Sequence, residues 1–264
     1  MNKTPSPATH FRNLFQFPDN LRYVIWKALH SKAPITLRFK DGTLLTLRPL
    51  PASDFQVAYE IFIFQVYGFD IDPDQVRLIV DLGGNVGCSC LFWARQYPRA
   101  RVLAFEPHPS NAACFRKNMS QNGLEKAVQL QEAAAGVNNG TISLFNTGTT
   151  DANARSAHWR TADAQTLSPE KKAANTLEVP MVDFFESVGT QTIDILKIDI
   201  EGGEFALLGD PRFENLQVRN LVMEYHDNET YPDAGAWCEG RLRDLGYNVM
   251  REGRGPYMLN AQRN

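Results

Sequence analysis

The chain reads as an α/β protein built around a doubly wound, mostly parallel sheet. Three observations carry that reading. From Arg77 onward, short apolar runs alternate with segments of helical periodicity, as in consecutive strand–helix–strand units. Two of the runs, 77–81 and 193–199, are largely apolar and close on an acid, the pattern of strands covered on both faces. After the first run comes Asp81-Leu82-Gly83-Gly84-Asn85-Val86-Gly87, an acid followed by a glycine turn into a helix.

Residues 1–74 form an N-terminal extension of helix, β-hairpin and helix that packs on this sheet. The first twenty residues are polar and proline-bearing. Asp19-Asn20 is placed to cap a helix whose Leu21, Val24, Ile25, Ala28 and Leu29 share one face. That face is expected to cover the core or to meet a second copy in a homodimer. Ile35, Leu37 and Phe39 alternate before Asp41-Gly42, which predicts a hairpin over 35–47. Ser53-Asp54 opens a further helix, with Phe55, Tyr59, Phe62 and Val66 at helical spacing.

Residues 75–264 carry the alternating elements. Strands are predicted at 77–81, 101–106, 128–132, 193–199 and 220–225. A short extra strand falls at 141–145, and 247–250 with 257–260 form a terminal hairpin. Pro98 stops the helix after the first strand; Ser110 is placed to cap the next, which Asn122-Gly123 ends. Residues 147–176 are rich in Thr, Ala, Asn and Ser, are too long for an ordinary connection, and read as a lid or a polar insertion.

With 264 residues and 43% hydrophobic content, the chain can bury one substantial core. A formal net charge of -3 supplies no bulk attraction to nucleic acid, and none is expected as a partner. No apolar run reaches the roughly 18 residues of a membrane span, so no membrane insertion is expected. The N-terminus also lacks a secretory pattern, so a cytoplasmic location is expected. Cys88, Cys90, Cys114 and Cys238 have no metal-type spacing and are expected as buried or free thiols.

In an open parallel sheet, ligands sit beyond the carboxyl ends of the strands, at the switch point. Gly83 and Gly84 permit the sharp turn there, and Gly87 is expected to let the helix approach the strand closely. Asp81 is placed to receive a cofactor ammonium, directly or through water. A dinucleotide fingerprint would need Gly-x-Gly-x-x-Gly to cradle a pyrophosphate. Here Asn85 takes the central glycine's place and the third glycine is missing. The spacing therefore favours S-adenosylmethionine, which has no phosphate to bind. Glu106, in Phe105-Glu106-Pro107 at the second strand's end, is placed to accept from both ribose hydroxyls, with Pro107 beside it. Glu132 and Ala133, after the third strand, are placed to flank the adenine.

At Ile193-Asp194-Ile195-Leu196-Lys197-Ile198-Asp199-Ile200-Glu201-Gly202-Gly203-Glu204 the chain resembles the FkbM family of S-adenosylmethionine-dependent methyltransferases. That family pairs a Leu-Lys-Ile-Asp-x-Glu-Gly-x-Glu signature with an Asp-x-Gly-x-Asn-x-Gly loop, and this chain has both. Phe105-Glu106-Pro107, Ala133-Ala134-Ala135-Gly136, Gly140, Glu60 and Tyr67 extend the resemblance over about 53–230. It implies a class I methyltransferase fold, Rossmann-like with seven strands. It also implies O-methylation of a hydroxyl on a sugar, glycan or secondary metabolite.

Methyl transfer from a sulfonium is an in-line displacement that mainly needs alignment. An alcohol acceptor also needs a base or a metal to take its proton. Asp199, Glu201 and Glu204 follow the fourth strand, and Glu224 and His226 end the fifth. His226 titrates in the range of a base. Asp199 is placed to line the methionine part of the cofactor. Glu201 and Glu204 are placed to hold substrate hydroxyls or to cap the following helix. Asp199, Glu201 and His226 lack further ligand spacing, and no metal is expected. N-methylation, including that of nucleic-acid bases, and a non-catalytic cofactor-binding module stay open as alternatives. Against the nucleic-acid reading stands Asp199-Ile200-Glu201-Gly202, where an Asn-Pro-Pro-Tyr motif would grip an exocyclic amine.

Overall fold

A computed structural model describes residues 13–49, 52–146, 159–160, 176–228, 230–251 and 257–263. The extension supplies helix α1 (Asp19–Ala28), hairpin strands β1 (Ile35–Arg38) and β2 (Leu44–Leu47), and helix α2 (Asp54–Tyr59). α2 widens into a π-helical turn over Glu60–Phe64. Then come β3 (Leu78–Leu82), α3 (Cys88–Gln96), β4 (Arg101–Phe105), α4 (Pro109–Ser120) and β5 (Val128–Gln131). β6 (Ala134–Gly136), β7 (Gly140–Asn146), β8 (Trp159–Arg160) and β9 (Thr176–Asp183) interrupt the alternation. It resumes with α5 (Phe184–Val188), β10 (Ile193–Ile198), α6 (Glu204–Gly209) and β11 (Val218–Glu224). α7 (Ala234–Asp244), β12 (Asn248–Arg251) and β13 (Met258–Gln262) close the chain.

The central sheet has seven strands in the order β12-β13-β11-β10-β3-β4-β5, and only β13 runs against its neighbours. Strand order reverses between β3 and β10, so the switch point lies beyond their carboxyl ends. Both faces are covered, as the apolar runs predict. Ile79, Val102 and Ile195 face a core shared with Phe15, Leu37, Phe39, Tyr59 and Phe62 of the extension. Leu78, Val80, Leu196 and Leu221 face a second core with Phe184, Leu207 and Leu242. All four cysteines are buried and free. No described helix is long and apolar enough to cross a membrane.

Two local expectations are corrected and one strand is new. The apolar stripe Leu21, Val24, Ile25 and Leu29 of α1 is exposed, and Tyr23 on the opposite side is buried. The cause is Asp19, which does not cap the helix but accepts the Arg38 N–H at 2.7 Å. With Tyr23 stacked on Phe55, this fixes the rotation of the helix about its axis. Ser110 does not cap α4, whose N-cap position is His108; its hydroxyl instead accepts from Arg48 at 3.1 Å. β9 is the strand without a sequence expectation: Leu177, Val179 and Met181 alternate, but Pro180 lies inside the run. β9 pairs with β6 in parallel and β7 antiparallel, making a second sheet in the order β6-β9-β7-β8. Apart from β8 and Thr176, the expected insertion lies outside the described residues.

Asn118 of α4 ties the extension to the glycine turn. Its Oδ1 accepts the Thr46 N–H at 2.8 Å and its Nδ2 donates to the Val86 carbonyl at 2.8 Å, all fully buried. Asn118→Ala leaves both backbone groups unpaired and is expected to destabilise the protein by about 1–3 kcal/mol. Urea unfolding checks this, and a loss below about 0.5 kcal/mol contradicts the linkage.

Candidate active site

The turn after β3 is held by backbone. The N–H groups of Gly83 and Gly84 both donate to the Phe105 carbonyl, at 3.0 and 2.8 Å. Gly83 adopts φ +87, and a Cβ there would lie 1.8 Å from the Asp199 carbonyl oxygen. No side chain fits. Gly87 also has positive φ, but its close approach is to Phe115 and Met119 of α4 rather than to the strand.

At the centre of the switch point lies Lys197, which is 1% exposed. Sheet register sets it beside Asp81, and its Nζ stands 3.1 Å from Asp81 Oδ1 and 3.4 Å from Asp199 Oδ2. It also donates to the carbonyls of Gly83 at 2.6 Å and Leu82 at 3.2 Å. Burial opposes its charge, but Asp81 and Asp199 outweigh that and hold the ammonium well above its ordinary range. Asp81 is fully buried, takes a hydrogen bond from the Ser89 hydroxyl, and lines neither of the two cavities that meet here. Asp81, expected to receive a cofactor ammonium directly or through water, thus has a protein cation as its ion-pair partner.

Two cavities meet at this point. The first, about 500 Å³, is bordered by Glu106 and Pro107 on one side and by Ala134, Ala135, Ile142 and Met181 on the other. Glu106 accepts N–H groups of Asn85 and His108, each at 2.8 Å, and the Asn111 amide at 3.2 Å. Burial pushes its carboxyl up to about 7 against the pull of those donors. Glu132 and Ala133 do not line the cavity. Glu132 pairs with Arg116 instead, and the small-residue wall begins at Ala134. The second cavity, about 460 Å³, is bordered by Glu60, Phe64, Tyr67, Gly84, Lys197 and Glu224. Ser53, Gly83, Asn85, Asp199 and Glu201 line both. Asn85 Oδ1 is buried and accepts no hydrogen bond from the described residues.

Beyond β10 and β11 the acids expected from the sequence gather around His226. Its Nδ1 is 3.2 Å from Glu204 Oε1, and its Nε2 is 3.4 Å from Glu201 and 3.8 Å from Glu224. Glu204 is fully buried and accepts the N–H groups of Ile200 at 3.2 Å and Gly202 at 2.9 Å. Between those two, Glu201 sits at φ 53. Burial disfavours the imidazolium, yet Glu204, Glu201 and Asp199 push His226 up to about 9. Glu224 rises to about 8 through burial and the nearby Asp199 charge. Asp199 accepts the Tyr67 hydroxyl at 3.1 Å. His226 itself is not among the residues lining either cavity, but its Nε2 lies beside Glu201, which lines both, and Glu224, which lines the second. Asp199, Glu201 and His226 each offer a ligand atom within 4.8 Å of the others, while Lys197 and Glu204 already hold two of them.

Sequence reasoning assigned no role to Lys197 and none but resemblance to Glu60 and Tyr67. A lysine inside a run covered on both faces was the available signal, since such a charge must be paired. Arg48, bound bidentately to buried Asp54, carries no such signal, because nothing in the hairpin pattern singles it out.

Comparison with known proteins agrees with this geometry. Residues 81–249 match the family model "Methyltransferase FkbM domain". "Methyltransferase 1" of Beauveria bassiana is 29% identical over 68% of this chain and 77% of its own length. The 31-O-demethyl-FK506 methyltransferase FkbM of Streptomyces tacrolimicus is 29% identical over 82% of this chain and 90% of its own. The 2-O-methyltransferase NoeI of Sinorhizobium fredii is 26% identical over 60% and 66%. The matched span runs from the acid in β3 into β12, and so takes in the glycine turn, Glu106 and the cluster around His226. The chain belongs to the FkbM methyltransferase family and is a methyltransferase.

Proposed function

We propose that the protein transfers a methyl group from S-adenosylmethionine to a hydroxyl of a small molecule or glycan. The observation that carries the oxygen-acceptor reading is His226, seated on fully buried Glu204 with Nε2 turned toward the acids that rim the cavities. The names of two relatives, an O-demethyl-FK506 methyltransferase and a 2-O-methyltransferase, support it.

The first cavity fits the nucleoside half of such a cofactor. Glu106 offers a carboxylate to a pair of ribose hydroxyls, and the alanine wall with Ile142 and Met181 leaves a flat apolar slot for a base. Buried Asn85 Oδ1 is a waiting acceptor at the junction of the two cavities. When bound, S-adenosylmethionine supplies a methyl group on a sulfonium that is already a good leaving group. The chain's own part is alignment and proton removal. Glu204 fixes the His226 ring through Nδ1, so Nε2 is the atom that takes the acceptor's proton. Glu201 and Glu224 stabilise the imidazolium that results.

Five outcomes are expected. In calorimetry, S-adenosylhomocysteine binds and NAD does not. Glu106→Gln weakens that binding by about 1–3 kcal/mol, the scale of a charge-assisted hydrogen bond. The carboxylate must be ionised to accept both hydroxyls, so wild-type affinity falls as pH drops through about 7 and the variant loses this dependence. Comparable NAD affinity contradicts the cofactor assignment. With labelled donor and a panel of hydroxylated acceptors, kcat/KM rises about tenfold per pH unit below the His226 value, because the base must be neutral. His226→Ala cuts turnover at least roughly a hundredfold with cofactor affinity unchanged. Full activity in that variant removes His226 as the base.

A further inference from the structure

The second cavity is lined by the acids Glu60, Asp199, Glu201 and Glu224 and by the amine of Lys197. Most of these charges are answered within the protein. Lys197 is spent on Asp81 and Asp199; Asp199 also holds Tyr67; Glu201 and Glu224 face His226. Glu60 is different. It accepts from the neutral Gln56 amide at 3.0 Å, and no ion pair joins it to a cation among the described residues. It sits where α2 widens into the π-helical turn, a distortion that recurs at functional positions. Burial and the charge of Asp199 raise its carboxyl above the ordinary range, as expected of an acid awaiting a positive partner.

Gly83 and Asn85 line both cavities, so a cofactor with its nucleoside in the first would place its tail in the second. That tail ends in an α-ammonium and an α-carboxylate, of which the ammonium is the group an acid can bind. Asp81, held by Lys197 and Ser89, lines neither cavity, whereas Glu60 lines the second. We propose that Glu60, from the N-terminal extension, binds the α-ammonium of the cofactor's methionine half and so selects for the amino-acid tail. This rests on the S-adenosylmethionine reading given above.

The test uses the full chain and three ligands in calorimetry. They are S-adenosylhomocysteine, its desamino analogue, and 5′-methylthioadenosine, which lacks the whole amino-acid tail. Wild type is expected to bind S-adenosylhomocysteine at least about tenfold tighter than the desamino analogue. Glu60→Gln is expected to lose about tenfold or more toward S-adenosylhomocysteine, with methylthioadenosine affinity within about twofold of wild type. Equal losses for both ligands assign Glu60 a merely structural part and overturn the proposal, as does an unchanged S-adenosylhomocysteine affinity. Wild type that does not discriminate against the desamino analogue overturns it without any variant. Wild type that binds none of the three overturns the cofactor reading itself, an outcome distinct from the others.

Discussion

One buried ammonium organises the switch point. Lys197 lies between two carboxylates and two carbonyl oxygens where β3 and β10 part. Removing such a group's partners would leave a charge in the core, at a cost of several kcal/mol. The glycine turn, Asp81 and Asp199 are thus locked to one another. The acids there do not all serve a ligand: Asp81 neutralises Lys197, and the open positions fall to acids on its flanks.

The extension completes what the sheet begins. Arg48 follows β2, binds Asp54 of α2, and reaches Ser110 and Asn111 of α4. Asn111 in turn donates to Glu106, so a chain of polar contacts runs from the hairpin to the cavity wall. Ser53 lines both cavities and Glu60 the second. The open space at the sheet edge is therefore bounded on one side by residues outside the alternating strands and helices.

How much of this the sequence discloses depends on distance along the chain. Strand and helix positions were legible because period and turn residues act locally, as at 77–81 and Asn122-Gly123. The residue types at the strand ends were legible too: Glu106, Asp199, Glu201 and His226 fall beside the two cavities or directly behind their walls. The direction in which each acid points was not. Asp81 turns inward because sheet register sets Lys197, from a strand far along the chain, beside it. The outward stripe of α1 depends in the same way on the Arg38 N–H, and Glu132 on Arg116. Pattern reading reports which residues share a face, whereas partners from distant segments decide where that face looks.

In Glu204 a single side chain serves two needs. With its backbone hydrogen bonds it keeps the bend around Glu201 in a left-handed geometry that L-residues ordinarily avoid, and with the same carboxylate it sets the basicity of His226. Loss of that carboxylate removes both sets of contacts at once. With His226 as the proposed base, Glu201 and Asp199 are the neighbours through which its basicity can change without disturbing that bend's hydrogen bonds.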